Sequence, residues 1–215
     1  MLIANLAIAS AIVPLGGSLL LARTYRTDPH LQSLVVPKVT ILTHAVATAC
    51  AVLLMVQAPS IGWPLIPAMI FGPMLAIALL TDAAGRVLPD LLTAALALAG
   101  LALAIAGLGL PIADALAGMI AMAGGLWLLR RLFILRHGAD AFGLGDVKLM
   151  TASAAIMPFQ QIAWSVIFAC LLAVPLVFLR GFRPAADSSL PFGSLFVGGL
   201  ALLTIIGPFL PGLGA

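Results

Sequence analysis

Leu80-Thr81-Asp82-Ala83-Ala84-Gly85-Arg86-Val87-Leu88-Pro89-Asp90 closes an apolar run of about residues 63–81 with a short charged segment. A spanning helix needs roughly 20 mostly apolar residues, so the run reads as a membrane helix and the charges as its exit into water. Seven further runs share this character, at about 2–22, 39–57, 91–110, 113–135, 147–158, 161–179 and 192–212. The sixth in chain order, 147–158, is short enough to be tilted or to lie partly outside the hydrocarbon. The expectation is an all-α polytopic membrane protein of about eight transmembrane helices, with residues 1–215 as a single membrane domain.

Composition supports that class. The chain is 63% hydrophobic and 8% charged, against about 25% charged in an ordinary soluble domain. All seven acidic residues are Asp. The net charge of +3 comes from basic residues scattered over short loops rather than gathered in a stripe, which argues against nucleic-acid binding. Cys50 and Cys170 lie inside apolar runs and form no Cys-x-x-Cys pair; both read as small buried residues, so no zinc or redox motif is expected. The N-terminus has no basic segment before its apolar run and reads as a first helix rather than a cleaved signal.

The basic residues also set the orientation. Arg23, Arg26, Lys38, Arg86, Arg130, Arg131, Arg136, Lys148, Arg180 and Arg183 all fall in or beside the odd-numbered loops, and the even-numbered loops hold none. The positive-inside rule puts those loops in the cytoplasm and both termini outside. Asp82, ending the third helix, and Asp146, beginning the sixth within Gly143-Leu144-Gly145-Asp146-Val147-Lys148-Leu149, then share the cytoplasmic face.

A carboxylate beside the hydrocarbon layer is expensive and marks a functional position by default. Two of them can share one proton, an ionised carboxylate drawing a proton from water while a neutral carboxyl protonates a carbonyl oxygen. Which Asp is the base stays open at this level. Gly143 and Gly145 are expected to permit unusual backbone dihedrals, close approach of an extended peptide and a hinge between the carboxylates. Lys148, two residues from Asp146, points away from it on a helix and reads as snorkelling to lipid phosphate or marking the inner boundary. Asp90, after Pro89, reads as an N-cap, and Asp114 as an acid near the outer start of the fifth helix. Asp28 and Asp187 read as loop charges. His30, His44 and His137 have no ligand spacing, and no serine elbow, His-Glu-x-x-His or phosphate loop is present, so no metal or nucleotide mechanism is expected.

Together these motifs resemble the type IV prepilin peptidases. Gly143-Leu144-Gly145-Asp146-Val147-Lys148-Leu149 is similar to that family's Gly-x-Gly-Asp-x-Lys-Leu motif, and Asp82 with Val87-Leu88-Pro89-Asp90 resembles its other catalytic region. Ala113-Asp114-Ala115-Leu116-Ala117-Gly118 and Leu190-Pro191-Phe192-Gly193 are similar to two further stretches in the family's order, so the resemblance covers about residues 70–200 as a catalytic core. It implies an aspartic endopeptidase of the bacterial inner membrane, with Asp82 and Asp146 catalytic on the cytoplasmic side. Gly143, Gly145, Lys148, Pro89 and Asp90 are then the supporting motif. The implied partner is a prepilin or pseudopilin precursor with a basic leader, beside membrane lipid. Asp140 is offered as a leader contact, with a plain loop charge as its alternative.

Two departures stand out. The loop at about 23–38 is too short for, and lacks the cysteines of, the N-terminal insertion of many bacterial members, which also methylate with S-adenosylmethionine. Peptidase activity without that module, and so without cofactor, is expected. Ala141-Phe142 replaces a more usual Gly-Met-like pair, which bears on substrate preference rather than chemistry. The competing class is a proton- or cation-coupled transporter, which would place its acids near mid-bilayer around broken, repeated helices. A catalytically dead scaffold is the third. Oligomeric state is not legible.

Overall fold

In a computed structural model of the chain, residues 65–138, 143–180 and 192–206 are described, together with Ala49 and Phe209. The apolar run at 2–22, that at 39–57 apart from Ala49, the loop at 23–38, Cys50, His30, His44, Asp28, Asp187 and Asp140 lie outside the described residues. All regular structure among the described residues is helical. The helices are α1 (Leu65–Gly85), α2 (Asp90–Ile105), α3 (Ile112–His137), α4 (Leu144–Ser153), α5 (Phe159–Arg180) and α6 (Phe192–Ile206).

α1 is the central element. From Phe71 to Asp82 nearly every residue is buried, on all sides of the helix, as expected of a helix apolar all round. It ends where Arg86 turns into the left-handed region at φ 55° and donates its N–H to the Asp82 carbonyl at 2.8 Å. That is the αL form of helix C-cap, on a residue other than glycine. α3 ends the same way on Gly138, at φ 67°.

α3 is the one described helix long and apolar enough to cross a bilayer by length and composition, over Ile112–Arg136. It leaves Ile120, Trp127, Leu128, Leu132 and Leu135 exposed. Such a surface suits an apolar solvent and not water. The described stretches Ile70–Ala83, Asp90–Ile105, Phe159–Pro175 and Phe192–Ile206 are shorter apolar helices. α4 has ten residues and rises only about 15 Å, half the thickness of a hydrocarbon core. The sixth apolar run thus forms a short helix followed by the fully buried turn Ala154–Met157.

The helices pack in two groups of three. α6 packs on α5 and α1; α4 packs on α3 and α2. The groups are joined where α1 meets α2 and where α4 meets α6. Small residues bring backbones together in each group. A Cβ on Gly199 of α6 would lie 2.8 Å from the Ala169 amide nitrogen of α5 and overlap the Ser165 carbonyl oxygen. One on Gly100 of α2 would lie 2.7 Å from the Ala155 Cβ, in the turn after α4. Close approach at small residues is how helices associate where lipid supplies no hydrophobic drive.

Candidate functional site

Asp82 and Asp146 stand at the junction of the two groups, one carboxylate from each. Asp82 belongs to the last turn of α1 and is only 4% exposed. A carboxylate near the C-terminus of its own helix faces the negative end of that helix's dipole. The compensation comes from a different helix. α6 begins at Phe192, and the Ser194 N–H in its first turn donates to Asp82 Oδ2 at 2.6 Å. The Ser194 hydroxyl is a second partner, and Arg86 contributes an attractive charge nearby. First-turn amides have no intrahelical acceptor, so α6 gives this donor away without losing a bond of its own.

Asp146 is half-buried in the first turn of α4. Gly143 is the N-cap, and its carbonyl accepts from the Asp146 and Val147 amides. The Asp146 carboxylate in turn accepts a hydrogen bond from the Gly143 backbone. Asp146 therefore occupies the place of the acid in a capping box, three residues after the cap. Burial pushes its carboxyl up to about 6, the neighbouring Asp82 charge pushes in the same direction, and the Gly143 hydrogen bond opposes both. Two carboxylates within electrostatic reach of each other titrate as a pair.

Leu88 closes the junction from the α1–α2 connection. A Cβ on Gly145 would lie 3.2 Å from Leu88 Cβ, and one on Gly193 would lie 3.1 Å from Leu88 Cδ1 and 3.2 Å from Asp82 Cγ. Gly145 is a clearance for Leu88, and Gly193 for Leu88 and Asp82. This corrects the expectation of unusual dihedrals. Gly143 has φ −60° and ψ 141°, open to any residue, and Gly145 is an ordinary helical position whose lack of a Cβ lets α4 approach.

Two other expectations are corrected. Asp90 is not the N-cap of α2; Pro89 holds that place and makes no side-chain cap, and Asp90 is the first helical residue. The Asp90 side chain is thereby free to meet Lys148, whose Nζ lies 2.6 Å from Asp90 Oδ1. Lys148 therefore does not snorkel toward lipid but ties the start of α4 to the start of α2. Asp114 lies in the first turn of α3, as the sequence suggested. A groove of about 700 Å³ between α2, α3 and α4 ends at the Lys148–Asp90 pair and is lined by neither Asp82 nor Asp146. Among the described residues no group of three or more His, Cys, Asp or Glu converges on a common point.

Sequence reasoning gave no role to Ser194, and none to Leu88 beyond its place in the Val87-Leu88-Pro89-Asp90 stretch. Their roles arise from contacts made across the fold. The available signal in the sequence was Pro191-Phe192-Gly193, since proline is favoured where a helix starts.

The model of the type IV leader peptidase family matches residues 69–178, a stretch that contains both aspartates. A prepilin leader peptidase/N-methyltransferase of Klebsiella pneumoniae is 34% identical over 108 residues, 50% of this chain and 47% of the relative. One from Dickeya chrysanthemi is 34% identical over 125 residues, 57% of this chain and 44% of the relative. One from Aeromonas hydrophila is 30% identical over 173 residues, 78% of this chain and 57% of the relative. The chain spans about half the length of the first two. No solved structure matches it.

Proposed function

The chain belongs to the type IV leader peptidase family, and from that premise we propose that it is an intramembrane aspartic endopeptidase cleaving the basic leader of prepilin or pseudopilin precursors. The observation that carries the reading is the convergence of Asp82 and Asp146 from two helix groups on one junction, where Gly193 lies against Asp82 and both Gly193 and Gly145, the neighbour of Asp146, lie against Leu88. Asp82 and Asp146 are the catalytic pair. With one proton between them, the ionised member takes a proton from water as the water attacks the scissile carbonyl. The neutral member protonates the carbonyl oxygen. Collapse of the gem-diol intermediate breaks the C–N bond as the leaving amine takes the proton held by the base, and one hydroxyl of the intermediate returns its proton to the other carboxylate, which leaves a carboxylic acid and the pair singly protonated again.

The segregation of basic residues supports about eight crossings in a bacterial inner membrane, a cytoplasmic site and external termini. Residues 1–215 form one membrane domain with its catalytic core at about 70–200. A precursor can then keep its apolar helix in the bilayer while the junction with its leader meets the carboxylates. Gly143, Gly145, Pro89, Asp90 and Lys148 support the site through the cap, the close approach and the ion pair described above. Asp140 is a candidate leader contact. The relatives' names include an N-methyltransferase; the cysteine-free loop at 23–38 supports assigning this chain the peptidase reaction alone, with no cofactor.

The test is incubation of the purified protein with a synthetic pseudopilin precursor and sequencing of the product's new N-terminus. One cut between the basic leader and the apolar helix is expected. Proton-dependent flux in liposomes without any cleavage would favour the transporter reading instead.

A further inference from the structure

Asp82 is the more buried of the two carboxylates, yet nothing on its own helix stabilises a charge there except Arg86, at the helix end. Its close donor arrives from 112 residues away in sequence, at 2.6 Å. The delivering turn is shaped around it. Gly193 precedes the donor, and a Cβ at that position would fall 3.2 Å from both Asp82 Cγ and Asp82 Oδ2. α6 is held rigidly in turn, because Gly199 seats it against the α5 backbone and Phe196, Val197, Leu200 and Leu203 are fully buried.

We propose that the first turn of α6 is a positioning element for the reaction, with the Ser194 amide orienting the Asp82 carboxylate and Gly193 giving that amide its access. The proposal rests on the peptidase reading and extends it to residues outside the two aspartate motifs. Ser194 and Gly193 are positioning residues that act through Asp82. A charge-assisted N–H bond fixes the direction of the carboxylate as well as favouring its ionised form. Among the described residues, the other charged groups facing it are Asp146 from α4 and Arg86 from the end of α1. Removing the amide therefore alters both the aim of the carboxylate and the pH at which the pair becomes singly protonated.

Three variants of the full chain, purified in detergent, test this by precursor cleavage across pH. Ser194→Pro removes the amide at a first-turn position that proline tolerates and where no helical bond is lost. It is expected to lower kcat by about tenfold to a hundredfold, the range of a hydrogen bond to a charged group. KM should stay within about threefold, because substrate binding makes no use of this amide. The acidic limb of the kcat/KM profile should move to higher pH, because the ionised pair has lost a donor. Ser194→Ala removes only the hydroxyl and should show a smaller loss and a smaller displacement of the limb. Gly193→Ala keeps the donor but crowds the carboxylate, and should lower kcat with the limb displaced in the same direction. If Ser194→Pro does not fold, Gly193→Ala carries the comparison, since its added methyl asks only a few tenths of an ångström of the Leu88 tip and the carboxylate. Folded variants with wild-type kcat and an unmoved limb overturn the proposal. A wild-type protein that cleaves no precursor overturns the peptidase reading instead.

Discussion

Gly145 offers the sharpest test of how the fold holds the two carboxylates. Adding one methyl group, in Gly145→Ala, places a Cβ 3.2 Å from Leu88 Cβ and 3.4 Å from Leu88 Cδ1. Ordinary carbon contacts sit at about 3.5–4.0 Å, so α4 and the α1–α2 connection must separate by about half an ångström. That is close to the tolerance of a working constellation, and Asp146 is the next residue along α4. Overpacking of this size costs about 1–3 kcal/mol. If the strain appears as displacement of Asp146 from Asp82, cleavage should fall about tenfold to a hundredfold. The assay is initial-rate cleavage of a precursor by purified protein, with helix content and thermal midpoint measured alongside. The second-site variants are the informative ones. Leu88→Ala removes the Cδ1 contact but keeps the nearer Cβ, so it should rescue Gly145→Ala only in part. Leu88→Gly removes both contacts and should rescue it further. A Gly145→Ala protein with the wild-type rate, or equal rescue by the two Leu88 variants, would refute this account of the junction.

Four further outcomes follow from particular contacts and charges. Because burial and the Asp82 charge raise Asp146 to about 6, cleavage should decline as pH rises through about 6 and the shared proton is lost. The same shift has a stability consequence. A carboxyl raised above its unfolded value contributes most at low pH and loses that contribution as pH climbs through 6. The thermal midpoint of the wild type should therefore fall relative to Asp146→Asn between about pH 4 and 7, and parallel curves would contradict it. The Lys148–Asp90 pair is well exposed, with side chains 39% and 78% accessible. Lys148→Ala should thus cost no more than about 1 kcal/mol in denaturant titration, and a larger loss would show the pair to be structural. Gly199→Ala drives a methyl group into the backbone of α5; a loss of about 3 kcal/mol or more is expected, and an unchanged midpoint would mean the two backbones are not in contact.

The helices were legible because the bilayer leaves few alternatives: each apolar run beyond residue 60 contains one helix. The limits of α2 and α4 were less legible. α2 starts at Asp90 because proline can occupy the cap, and α4 stops at Ser153, where a buried turn takes over. The two aspartates drew attention from sequence alone because charge at the edge of hydrocarbon is costly. Their surroundings did not, since a carboxylate advertises itself while the amide or methyl group opposite it does not. Lys148 shows the difficulty. Helix geometry correctly turned it from Asp146, but nothing local indicated Asp90, 58 residues earlier, as its partner. At Gly145 the expected conformational role gives way to a clearance, which depends on Leu88 arriving from another segment.

The most direct measurement is cleavage by Asp82→Asn and Asp146→Asn, each purified and shown to keep the helix content and thermal midpoint of the parent, apart from the pH effect above. Asn preserves shape but can neither take up nor release the shared proton. Each single variant should lose cleavage by about a thousandfold or more, as when one member of a proton-handling unit is removed. Sustained turnover by either variant would contradict the claim that the two carboxylates act as one catalytic pair.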